Sequence, residues 1–339
     1  MAEDTPRLRP DIEVIPTSYQ GEPVFMVRDS LGLIPEPILL QAEGILLLRL
    51  IGGEHSLGEI QLEFMRRNNN VYIGLDAIRS MIQQLDEAML LDSPRYRRAR
   101  ARIVQEYVGL SVRPAHLAGT AYPAERPALE AFLEDLMASG GEAEDPPPPS
   151  VGPLALVAPH IDLNVGRRVY ARAYGALRGL APRRIVLLGT GHSLHTFHFS
   201  LSEKTFATPL GEVESEGGWA GALREAGGSS VSPDDFVHRS EHSLEFQLLF
   251  CQHLFKEAFT VLPVLCGSFH DLLDRVSRPT GQEDIRGFLN TLKELIESEP
   301  DTLVIAGVDF SHIGMKFGHE TGAEALLPEA RAHDMALIE

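Results

Sequence analysis

Three apolar runs in this chain each give way to a histidine. His160 follows "LALVAP", His192 follows "RIVLLGTG", and "TLVIAGVDFSH" delivers Asp309, Ser311 and His312 together. Neutral imidazole is a good ligand for iron, copper and zinc, and two histidines with one carboxylate suit non-haem Fe(II). Histidines that recur at equivalent places after apolar runs therefore read as candidate ligands of one ion. In that reading His160 and His192 supply imidazoles, and the turn from Asp309 to His312 supplies a third donor. The competing reading of each is a loop histidine engaged in ordinary hydrogen bonds. A fourth stretch, "HRSEHSLEFQLLF", sets His238 and His242 four residues apart, the spacing of a helical metal pair. Its apolar stripe Leu244, Phe246, Leu248, Leu249 starts only after Glu241, so the helix is expected to begin near Ser240 and to leave His238 outside it. Glu241 and His242 then occupy a helix amino terminus, where the dipole favours a carboxylate and an imidazole can act as acid or base. His312 is a further acid–base candidate.

These residues need elements to bring them together. From residue 103 onward, apolar strands near 154–158, 184–189, 259–265 and 302–307 alternate with amphipathic helices near 126–139, 165–178, 241–256 and 284–298. That alternation predicts an α/β domain with a central sheet flanked by helices. In an open sheet of this class the loops at the carboxyl ends of the strands form the ligand crevice, which is where His160, His192 and the 309–312 turn fall. The proline-rich "GGEAEDPPPPS" at 140–150 reads as an exposed, extended loop. Ahead of this domain, residues 37–91 carry the pattern of a small helical module. Gly52 and Gly53 end a first helix, Ser56 with Glu59 forms a capping box for a second, and Ile78, Ile82, Leu85 and Met89 mark the buried face of a third. The arginine-rich "RYRRARAR" reads as a solvated helix or a connector between domains, with a docking patch for an acidic partner as the alternative. The expected domains are thus 1–102 and 103–339.

Composition limits what such a chain does. Its 339 residues suit about two domains. The formal charge of −18 argues against a general nucleic-acid role, because phosphate backbones demand a basic face. Residues 38–91 hold four arginines, no lysine and seven acids, so the third helix lacks a base-reading surface, and a peptide or protein partner is the better expectation for this module. No apolar run approaches the roughly 18–20 residues of a membrane span. The acidic, proline-containing start does not read as a signal peptide, which makes a cytoplasmic location the default expectation. Two cysteines, Cys251 and Cys266, are too few for a disulfide framework and are expected as buried thiols. A hydrolase is disfavoured by the lack of a G-x-S-x-G elbow.

Six blocks in order, "SVRPAHLAGTAYPAERPALEAFLEDLM", "VAPHIDLNVGRRVYARAY", "LLGTGHS", "FATPLGEV", "EHSLEFQL" and "VDFSHIGMKFG", resemble the Memo family, whose prokaryotic members are called AmmeMemoRadiSam system protein B. The resemblance covers about 111–339. It implies a fold similar to class III extradiol dioxygenases, with a metal pocket at the strand ends. It matches His160 and His192 to metal-binding histidines and His242 to a pocket histidine, and it puts Ser311 where animal members carry a cysteine ligand. A serine hydroxyl is a poor substitute for thiolate, so Fe(II) or Zn(II) is expected ahead of redox copper. Family chains continue past the last helix with further strands, which implies that this chain is incomplete at its carboxyl end. The succession "LLRLIGGEHSLGEI…LDEAMLLD" is similar to PqqD-like and winged-helix modules. Three readings follow: a histidine-lined metal pocket without an established reaction, an extradiol-type Fe(II) dioxygenase, and a peptide- or partner-binding adaptor without catalysis.

Overall fold

The computed structural model describes residues 5–29, 31–34, 36–140, 154–272, 276 and 278–338. The expected proline-rich loop lies largely outside them. The chain divides into two compact units, Met1–Gly109 and Leu110–Glu339.

The first unit opens with strands that the sequence reading did not anticipate. β1 (Ile12–Tyr19) and β2 (Glu22–Asp29) form an antiparallel hairpin, and β3 (Ile38–Leu40) pairs with the far side of β2. The hairpin turns at Gln20 and Gly21, both at positive φ. Its sequence, IEVIPTSY, escapes a period-2 search because β1 is mostly exposed on both faces and carries a proline. The three expected helices follow as α1 (Ala42–Leu50), α2 (Leu57–Arg67) and α3 (Leu75–Glu87). Ser56 and Glu59 do form the reciprocal capping box of α2. Ile60, Phe64 and Ile78 bury against Leu47, Leu50 and Ile51 in a small core. Met89 is a correction: α3 ends before it, and its φ of 60° takes it off the expected helical face. The arginine-rich stretch takes the first of its two expected forms, a solvated helix, as the body of α4 (Pro94–Val108), capped by Ser93. The expected boundary after residue 102 therefore falls inside a helix.

The second unit contains β4 (Val112–Arg113), α5 (Arg126–Ala138), β5 (Leu154–Ala158), α6 (Arg167–Gly175), β6 (Arg184–Thr190), β7 (Phe199–Leu201), β8 (Thr205–Thr208), β9 (Gly211–Val213), α7 (Gly217–Gly227), α8 (His242–Leu254), β10 (Thr260–Cys266), α9 (Glu283–Ser298), β11 (Thr302–Gly307) and α10 (Ala323–Ile338). The main sheet has the order β5-β11-β6-β10-β7, parallel except for the edge strand β7. Successive side chains on a strand point to opposite faces. Accordingly Ile185 and Leu187 of β6 join the core with α5, α6 and α8, while Val186 joins Val264 of β10 and Phe288 of α9 on the other face. Both faces are covered, which is why these strands read as continuous apolar runs rather than alternating ones. The fold class is α/β, with mixed sheets flanked by helices. Among the described residues no helix is long and apolar enough to cross a membrane. Cys251 is buried as expected, whereas Cys266 is half-buried.

Candidate metal centre

α8 is unusual in being buried almost all round from Ser243 to Cys251. A helix in that position sits inside the domain rather than on it. It can bury Glu245 because the carboxylate is fully engaged: Arg113 and Tyr122 hydrogen-bond it, and the N–H groups of His116 and Leu117 donate at 3.1 and 2.9 Å. Its amino terminus points to the carboxyl ends of the strands. As expected, the helix begins at His242 with Glu241 as its N-cap, and His238 lies outside in a short 3-10 turn.

Three imidazoles meet there. Ligand-type nitrogens of His160, His192 and His242 all lie within 4.8 Å of one another. The His160 ring stands edge-on to both others, at 5.2 Å from His192 and 5.4 Å from His242, and those two stack at 4.7 Å and 19°. β11 lies between β5 and β6, so His160 and His192 follow strands that are not neighbours, yet their rings come together.

Each ring is braced from behind. His160 places Nδ1 3.1 Å from the carbonyl oxygen of Gly307. Glu241 serves both others: its Oε1 is 2.9 Å from His192 Nδ1 and 3.3 Å from His242 Nδ1, while its Oε2 accepts from the His192 backbone N–H at 3.0 Å. Where Nδ1 donates to such an oxygen, as the geometry allows for His160 and His192, the neutral ring carries its lone pair on Nε2. Burial pushes the His160 and His242 imidazoles below their ordinary pKa, with the neighbouring carboxylates pulling the other way. The shift favours the neutral ring, the form that binds metal. Burial alone would raise the Glu241 carboxyl, but the His192 hydrogen bond and charge, the Ser243 N–H and His242 outweigh it and hold it at about 2. Oxygen acceptors behind ligating imidazoles are the usual outer shell of a metal site. Three ligands at about 2.1 Å in tetrahedral geometry stand roughly 3.4 Å apart, so the cluster needs only a small contraction to close on an ion.

A family model described as Memo-like protein matches residues 113–339 of this chain. The chain belongs to that family. It is 29% identical over 294 residues to a MEMO1 family protein of Aquifex aeolicus, covering 87% of this chain and 73% of the relative. It is 31% identical over 287 residues to one of Thermus thermophilus, covering 84% and 79%. A Methanopyrus kandleri MEMO1 family protein is 34% identical over 203 residues, covering 58% and 67%.

Within this Memo-like domain the third member of the cluster is His242, expected as an acid or base, rather than Asp309 or Ser311, expected as metal ligands. Ser311 turns the other way: its hydroxyl donates to Asp334 of α10 at 2.6 Å. Asp309 acts as a brace, its Oδ1 accepting from the His160 backbone N–H at 2.9 Å and its Oδ2 standing 3.7 Å from both His160 Nε2 and His312 Nε2. His312 lies exposed beyond it and stacks on Phe317 at 4.9 Å. Glu241, expected as a catalytic carboxylate, faces the backs of the rings. Sequence reasoning missed Gln247, Ser243 and Gly307, whose roles depend on which strands α8 crosses.

Proposed function

We propose that the second unit houses a mononuclear three-histidine metal centre, with His160, His192 and His242 as ligands of Fe(II) or Zn(II). What supports this is the single observation that ligand-type nitrogens of three imidazoles converge within 4.8 Å, each ring with an oxygen atom within 3.3 Å of its Nδ1. The donor set is all nitrogen, without thiolate, which suits a borderline divalent ion better than redox copper. When bound, such an ion supplies Lewis-acid activation of an oxygen-donor ligand. The residues define the approach. His160 is 5% exposed at its side chain and forms the floor, whereas His192 at 45% and His242 at 36% form the mouth. Asp309 lies beside the floor, where its carboxylate can orient a proton-bearing ligand. The two-histidine, one-carboxylate set of an extradiol-type dioxygenase is the less favoured reading, because Asp309 falls outside the cluster in which all ligand atoms are mutually close. Elemental analysis of protein purified without chelator tests the proposal. Iron or zinc retained by the wild type and lost from the His160→Ala/His192→Ala double variant is the expected result. Equal metal in both overturns it.

For the first unit we propose docking of a peptide or protein, not nucleic acid. It carries a cleft of about 320 Å³ whose lining mixes Arg7 and Arg79 with Asp86 and Asp92 around Ile82 and Leu91. Such a surface matches a chain bearing both charges better than a polyanion. Saturable binding of random duplex DNA at low salt contradicts this reading.

A further inference from the structure

We infer that Ser243 and Gln247 of α8 are positioning residues that set the span between His160 and His192. The consequence for metal binding rests on the three-histidine reading; the span itself does not.

The two residues are four apart and so share one face of the helix. Both are wholly buried. The Ser243 hydroxyl donates to the carbonyl of Thr190 at 2.9 Å, at the end of β6 and two residues before His192. The Gln247 carboxamide donates to the carbonyl of Pro159 at 2.9 Å, just past β5 and immediately before His160. One turn of helix thus grips the ends of two strands that are not neighbours, straddling β11. The strands permit the approach because they present glycine where the helix lies down. A Cβ on Gly307 of β11 would stand 2.9 Å from the Ser243 carbonyl oxygen and 3.0 Å from Gln247 Nε2. One on Gly189 of β6 would stand 2.5 Å from Ser243 Oγ and 2.7 Å from Leu244. The same Gly307 carbonyl receives the His160 ring, so β11 is both the saddle for the helix and the backstop for the imidazole.

Gln247 cannot swing away. Its Oε1 accepts from the Tyr174 hydroxyl at 2.5 Å, and Tyr174 is itself wholly buried and stacked on Phe250 at 4.4 Å. A carboxamide and a phenol inside an apolar core are costly unless each polar atom is partnered. A leucine at position 247 opposite a phenylalanine at 174 would fill comparable space, with only the Pro159 carbonyl losing a donor. What the amide adds is a fixed distance from the core to the residue before His160. Ligands must be held within about 0.5 Å of their working geometry for a site to function, and two hydrogen bonds from one rigid helix face supply that tolerance.

Gln247→Met removes the amide at similar volume, and Ser243→Ala removes the hydroxyl. In crystals of the metal-free protein, Gln247→Met is expected to move the His160 ring away from His192, lengthening the 5.2 Å centroid separation by about 0.5 Å or more. An unchanged separation overturns the inference. In Co(II) titrations both variants are expected to bind roughly 10–100-fold more weakly, with altered visible absorption. Leu133→Ala, a deletion in the same core on α5, serves as the control for general destabilisation. If Gln247→Met behaves like Leu133→Ala, losing thermal stability while keeping Co(II) affinity and spectrum, its role is structural only and the inference falls. Should Gln247→Met fail to fold, Tyr174→Phe removes the partner of Gln247 alone and is expected to shift the same readouts in the same direction; no shift again overturns the inference. A wild type that takes up no Co(II), alongside a displaced His160 ring in metal-free Gln247→Met, leaves the span in place and removes the metal reading instead.

Discussion

Two sets of polar residues stand at the carboxyl ends of the same sheet, and they are held very differently. His160, His192 and His242 are each backed by a buried or half-buried oxygen: Gly307 O for the first, Glu241 for the other two. Ser311 and His312, just past β11, are exposed: Ser311 bonds outward to Asp334, and His312 stacks on Phe317 with Asp309, at 3.7 Å, on its inner side. Residue type does not separate the two sets, since each offers imidazole. What separates them is bracing. An imidazole whose Nδ1 is held from behind presents one nitrogen in one direction, and three rings that converge define a point; an exposed ring stacked away from them adds nothing to it.

The largest expected effect tests that distinction at its core. Replacing His242 by alanine should abolish stoichiometric metal binding, whereas His312→Ala should leave it; isothermal titration with Zn(II) reads both. If His312→Ala is the damaging change, the assignment of the third ligand is reversed. Next in size is the brace itself. Glu241→Gln keeps the shape but removes the charge shared by two rings, and metal affinity should fall roughly 10–100-fold with the unfolding temperature much less changed.

A fourth imidazole sharpens the comparison through pH. His238 is buried edge-on to Phe206, and burial, then the charge of Arg113, pushes its pKa down to about 3. The unfolded chain takes up this proton as pH falls through the ordinary value of 6.5, while the folded chain refuses it until about 3. The contribution of a neutral His238 is therefore complete above 6.5 and is lost as pH drops toward 3, with a slope approaching about 1.4 kcal/mol per pH unit between. Urea unfolding of wild type and His238→Phe between pH 7 and 4 checks this: the variant should show the shallower dependence, and parallel curves contradict it. Smallest of all, Ser311→Ala should alter stability by no more than about 0.5 kcal/mol, as an exposed substitution, and should leave Zn(II) affinity unmoved.

Much of this was legible in sequence. The four parallel strands and helices α5, α6, α8 and α9 read directly from apolar runs and helical spacing, because burial on both sheet faces makes β6, β10 and β11 largely apolar; α7 was not read. The start of α8 was legible too, since its apolar stripe begins where the cap ends. His160 and His192 stood out for their place after strands. The third histidine of the cluster did not, because the 309–312 turn occupies an equivalent strand end while His242 sits on a helix, and only the three-dimensional path of α8 brings it over. Strand order was also hidden: nothing local says that β11, last in the chain, lies between β5 and β6. The hairpin of β1 and β2 escaped for a different reason, having no buried face with a clear period. Gln247 looked like an ordinary helical residue, and its partner Pro159 is 88 residues away.

The central claim is that three imidazoles, and no other protein group, hold the ion. X-ray absorption at the zinc edge, on full-length protein loaded with one equivalent of Zn(II), measures this directly. The account predicts three imidazole nitrogens at about 2.0–2.1 Å with their characteristic outer-shell scattering, completed by a light oxygen donor and without sulfur. Two imidazoles with a carboxylate would return the third position to Asp309, and a sulfur shell or a single imidazole would place the ion outside this centre altogether.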